Sequence, residues 1–105
     1  TAESISAAAS GEIPSDTRTS ITNADAAGAY PIATFTWMII YKEQNYSDRS
    51  KEQATATLDL LQYILSDEAQ DITSEVHYAP LPAKAKELSM KNLKTVTYDG
   101  MPILQ

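Results

Sequence analysis

The chain has 105 residues, 43% of them hydrophobic and 21% charged, with a formal net charge of −6. That size suits one small domain, and that balance is ordinary for a folded chain rather than a disordered one. An acidic chain without a basic stripe excludes nucleic acid as a partner and is poorly suited to anionic lipid. No cysteine is present, so disulfides, thiolate metal sites and cysteine nucleophiles are excluded together.

In chain order, the first block is Thr1 to Asn23. Ala2 to Ser10 is rich in Ala and Ser, which predicts a short helix stopped by Gly11 and Pro14. Arg18 to Thr22 reads as extended. Only Ile5, Ile13 and Ile21 are large and apolar here, so the block must lean on something else. A polar connector of small residues, Asn23 to Ala29, favours turns, and Pro31 pushes Tyr30 toward an extended backbone.

Ile32 to Tyr41 is the best strand candidate in the chain. Phe35, Trp37, Ile39 and Tyr41 fall on one face, and Thr34, Thr36, Met38 and Ile40 on the other. Being apolar on both faces in its second half, it predicts a buried strand in a sheet covered on both sides, as in α/β domains. The aromatic alternation reads as core rather than as a stacking platform.

The rest predicts helices. Ser50 with Gln53 is a capping-box pattern, and Asp48 brings negative charge near the helix start. Ala54, Leu58, Leu61 and Leu65 make one apolar stripe, widened by Ile64, which gives a helix over about 50–65. Ser66-Asp67 marks a new cap and a second helix over 67–76. Pro80 and Pro82 interrupt it, and Pro82 suits the first turn of a third helix over 82–94. In the tail, 95–105, Asp99-Gly100 is a turn signal between two β-prone pieces, predicting a small hairpin or a loose arm.

Several constellations invite a chemical reading. Asp16 and Arg18 could hold an anion, but they read as an exposed charge pair. His77, the sole histidine, would have to anchor any Ser-His-Asp arrangement, and it reads as a solvent-facing residue at a helix end. Asp67, Asp71 and Glu75 recur every four residues, which makes an acidic helix face rather than a wrapped calcium loop. Asn45-Tyr46-Ser47 matches a glycosylation sequon. With three scattered glycines there is no phosphate-cradling loop. No acid–base pair, nucleophile, metal cluster or cofactor motif emerges, so an enzyme is not expected. The longest apolar run, Phe35 to Tyr41, is far short of the roughly 20 residues that span a bilayer.

Four runs together carry a family resemblance. Ser-Ile-Thr-Asn-Ala at 20–24, Ala-Tyr-Pro-Ile-Ala-Thr-Phe-Thr-Trp at 29–37, Leu58 to Gln70, and Tyr-Ala-Pro-Leu-Pro at 78–82 resemble, in order and spacing, the periplasmic phosphate-binding proteins of bacterial phosphate ABC transporters. The resemblance covers about Ala2 to Leu88. It implies an α/β fold of the type II periplasmic binding protein class, of which this chain is the C-terminal part. Residues 1–29 would be the end of the second lobe and its hinge crossover, and 30–105 the C-terminal part of the first lobe, a buried strand with covering helices.

The implied function is capture of inorganic phosphate for uptake, with an inner-membrane ABC permease as partner and a periplasmic or extracellular, transporter-associated location. In that family the anion is held by backbone N–H groups, Ser and Thr hydroxyls, an Arg and an Asp, from earlier segments of the chain. Ser10-Gly11 only faintly suggests the ligand loop, so no phosphate ligand is assigned in this chain, and no metal or catalytic residue either. The opening Thr and the lack of a signal peptide fit a chain processed or cut from a longer one. His77 stands where the family has a helix-ending Gly, and the tail beyond Leu88 has no family counterpart. The competing expectations are an autonomous interaction module of the same ancestry and a binder of a related oxyanion such as sulfate. An apolar strand parted from its neighbours further predicts self-association of this chain.

Overall fold

The computed structural model describes all 105 residues. Four helices carry the chain: α1 (Ala2–Ala8), α2 (Lys51–Ile64), α3 (Asp67–Ile72) and α4 (Ala83–Leu93), with a 3-10 turn, Thr73–Val76, extending α3. The only sheet is an antiparallel hairpin of β1 (Thr97–Tyr98) and β2 (Met101–Pro102), in which Thr97 faces Pro102 and Tyr98 faces Met101.

The helix starts follow local chemistry. The Ser50 hydroxyl accepts from the Gln53 amide at 3.1 Å, while the Gln53 side chain accepts from the Ser50 amide at 2.9 Å, a reciprocal box that satisfies two groups left bare at a helix start. Ser66 caps α3 in the simpler way, accepting from the Ala69 amide. Thr1 and Ser4 form a second box, on α1. That helix ends at Ala8, three residues before Gly11, because the Ser10 amide and hydroxyl both turn back onto the Ala7 carbonyl.

Two separate hydrophobic clusters hold the molecule. One consists of Ala8, Ala9, Ile21 and Ala33, with Ile5, Ala24, Ala29 and Phe35 packed against it. The other joins Leu58 and Leu61 of α2 to Leu93 and Val96, with Ile40, Ile64, Met90 and Ile103 around them. The connector folds back on α1 through Tyr30 N–H to the Ser4 carbonyl (2.9 Å) and Asn23 N–H to the Pro31 carbonyl (2.7 Å). Asn92 of α4 reaches across to the Ser15 carbonyl at 3.0 Å and ties the first block to the helices.

Ile32 to Tyr41 departs from the expectation of a buried, sheet-bound strand. The segment stays at negative φ but joins no ladder. Ile39 is 93% exposed, and Trp37, Met38 and Tyr41 are exposed as well. The physical reason is the absence of strands beside it: this chain offers only the two-stranded hairpin, which pairs further on. There the Thr97 amide donates to the Lys42 carbonyl and the Gln44 amide to the Thr97 carbonyl, a single parallel bridge between Glu43 and Thr97. Trp37, expected in the core, lies at the rim instead, edge-on to Phe35 with its indole N–H on the Thr17 carbonyl at 3.1 Å. No helix is long and apolar enough to cross a membrane.

Candidate functional site

The concave feature nearest to a site lies at the C-terminal end of α1. Ala8 to Ile13, Thr19 to Ile21 and Ala24 to Ala26 line a cavity of about 230 Å³. Ser10-Gly11 belongs to this lining, together with the hydroxyl-bearing Thr19 and Ser20. The electrostatics run against an anion. A helix C-terminus presents carbonyls and the negative end of its dipole. The charged residues of the lining are Glu12 and Asp25, and no Lys or Arg joins them. A phosphate placed here would meet repulsion from three sides.

Asp16 and Arg18 pair as a loop clip. Arg18 Nε donates to Asp16 Oδ2 at 2.8 Å, and the Arg18 amide donates to Oδ1 at 3.1 Å. The Arg18 side-chain hydrogen bond, followed by its amide, holds the Asp16 carboxyl below its ordinary range. The Arg18 side chain is 86% exposed, so the pair sits in water and converges on no cavity.

The other sequence candidates are also kept apart. His77 is exposed at the end of the 3-10 turn, and its ring makes no hydrogen bond with Ser or Asp. Asp67 turns to Lys86 of α4 rather than to Asp71 or Glu75, and Lys86 pulls its carboxyl below the ordinary range. Asn45 of the sequon serves the hairpin: its amide donates to Glu43 Oε1 at 2.9 Å and its side chain to Asp99.

The best-organised polar cluster was not singled out by sequence reasoning. The Glu43 carboxylate accepts from the amides of Asn45 (2.9 Å), Asp99 (2.9 Å) and Gly100 (3.0 Å) and from the Thr97 hydroxyl (2.7 Å). Donors on this scale favour the ionised form, and the Asn45 amide leads in pulling Glu43 from 4.5 down to about 2. The two turn amides come from Asp99 and Gly100, both at positive φ (52° and 75°), which aims successive N–H groups at one point. Asp99-Gly100 announced the turn, but nothing near it pointed to a carboxylate more than fifty residues earlier. Chemically this is an anion-binding nest filled by the protein's own side chain, and it docks the hairpin onto the Lys42–Asn45 segment.

A second such polar pin is Gln70, 7% exposed. Its side-chain amide donates to the Ile64 carbonyl at 2.8 Å and its oxygen accepts from the Leu81 amide at 2.6 Å. The Tyr78–Pro82 turn is thus held to the α2–α3 junction by a buried side chain. Both clusters are architectural, since each spends its polar atoms on bonds that tie one part of the fold to another.

Compared with family models, curated proteins and solved structures, the chain matches none of them. The resemblance to phosphate binders therefore rests on the four sequence runs alone.

Proposed function

We propose that this chain is the C-terminal part of a periplasmic solute-binding protein that captures inorganic phosphate for an ABC transporter. Its role is scaffold and hinge, and the residues that grip phosphate lie in segments outside it. One observation carries the reading. Phe35 to Tyr41, the later part of the Ile32–Tyr41 segment, is mostly apolar, stays at negative φ and joins no ladder, as expected of a central strand whose partner strands are supplied by another part of the same protein. It begins where the Ala-Tyr-Pro-Ile-Ala-Thr-Phe-Thr-Trp run resembles the hinge-to-strand passage of the family. The acidic cavity beside α1 supports the second half of the proposal, because nothing in it favours an oxyanion.

In this reading the permease of the inner membrane is the partner and the periplasm the place of action. Closing two lobes over the anion is a hinge motion, and the turn at Tyr30–Ala33 is where the chain would bend. Calorimetry tests the proposal in two steps. The chain alone should give no binding heat with phosphate up to millimolar concentration. Lengthened by the residues encoded upstream in its own gene, it should bind phosphate with micromolar or tighter affinity and discriminate against sulfate. Phosphate binding by the chain alone, or none by the lengthened protein, would overturn it. A preference for sulfate would transfer the reading to that oxyanion.

A further inference from the structure

From Thr34 to Glu43 no backbone amide donates a hydrogen bond, and the carbonyls from Thr36 to Ile40 accept none. At the centre of the stretch the side chains are free as well: Met38 is 60% exposed and Ile39 93%. Unpaired polar backbone and exposed apolar side chains are satisfied together by one kind of neighbour, another strand. Charge narrows what that strand can be. No charged residue occurs from Ala26 to Tyr41, whereas the whole chain carries −6. This is the stretch on which two copies can meet without like-charge repulsion. A basic partner would be drawn to the acidic helix faces instead.

We infer that Phe35–Tyr41 is a self-pairing strand through which two copies of this chain form an antiparallel, two-fold dimer centred on Met38. In that register Phe35 faces Tyr41, Thr36 faces Ile40, Trp37 faces Ile39, and Met38 meets its own copy. Aromatic and β-branched residues opposite one another are the pairs that stabilise antiparallel strands. Two devices limit the pairing to this stretch. Pro31 cannot donate to a ladder, and Lys42 places a charge at the other end, both of which natural edges use as stops. A two-fold interface is self-complementary, with the same edge of each copy used up in the pair. The inference concerns this chain by itself; in the longer protein of the phosphate reading the same edges are taken by its own neighbouring strands, and that reading is decided separately, by anion binding to the lengthened protein.

Sedimentation equilibrium and amide hydrogen exchange on the chain, from low micromolar to near-millimolar concentration, test it. The mass should double across the range while the amides of Phe35–Tyr41 pass from unprotected to protected. Met38→Pro removes a central donor, and Ile39→Lys places a charge opposite Trp37 of the other copy. Neither residue is packed in the monomer, so both variants should keep the helical circular dichroism and stay monomeric. The inference is overturned by a monomer at every concentration, by a dimer that both variants retain, or by assemblies larger than two.

Discussion

His77 has a left-handed backbone, with φ of 65°. Its amide donates to the Ser74 carbonyl and the next amide, Tyr78, to the Thr73 carbonyl at 2.9 Å. These two bonds close the helix end as a Schellman motif, a geometry that favours Gly because a Cβ crowds the carbonyl. The sequence makes this position conspicuous, since a helix stop precedes Tyr-Ala-Pro-Leu-Pro and no Gly supplies it. The ring makes no hydrogen bond that would compensate. His77→Gly should therefore raise stability by about 0.5–1 kcal/mol, the relief of left-handed strain less the extra freedom of Gly in the unfolded chain. Thermal denaturation by circular dichroism checks the sign, and a lowered midpoint would show that the imidazole contributes packing. Gln70 teaches the opposite lesson about legibility. It looks like any polar residue on a helix, and its burial follows from a Leu81 amide that only the folded turn delivers.

At the scale of elements, local signals were readable and distant ones were not. Ser50 with Gln53 and Ser66 with Ala69 are contacts three residues apart, so the starts of α2 and α3 are visible in sequence. The apolar stripe Ala54, Leu58, Leu61 is the buried face of α2 because helical spacing alone puts it there. The hairpin was legible as a turn through Asp99-Gly100, but its anchor was not, since Glu43 lies far away in sequence. That anchor makes the hairpin acid-sensitive. Glu43 titrates near 4.5 when unfolded and is held at about 2 when docked. A depressed carboxyl stabilises the folded form above the unfolded pKa and loses that contribution as pH falls through the folded one. Between about pH 4.5 and 2, amide protection at Thr97–Gly100 should fall. Glu43→Gln should show weaker protection at neutral pH and a flatter profile through that window. Identical profiles for the two proteins would assign the acid response to other carboxylates, with Asp67 against Lys86 and Asp16 against Arg18 next in line.

For the whole molecule, the balance of surface to core is decisive. Only 13 of 105 residues are buried, and six of the buried side chains are more than a methyl group among the apolar ones. The Cα radius of gyration, 15.5 Å, exceeds the roughly 13 Å typical of a compact chain of this length. The excess comes from two clusters, one built largely of alanine, with an unladdered stretch between them. Composition could not reveal this, because a strand's apolar residues look the same whether or not their neighbours are present. At low concentration, chymotrypsin should cut first at Phe35, Trp37 or Tyr41 and later at Tyr63, which lies in the hydrogen-bonded body of α2. First cleavage at Tyr63 would mean that the stretch is protected and the helix is not.

The same rim position gives Trp37 a further use. As the sole tryptophan, it is a built-in optical gauge of the joint. Its emission in dilute solution should lie toward the red, as for a water-exposed indole. Covering the stretch, by a second copy or by neighbouring strands of a longer chain, would shift it to the blue.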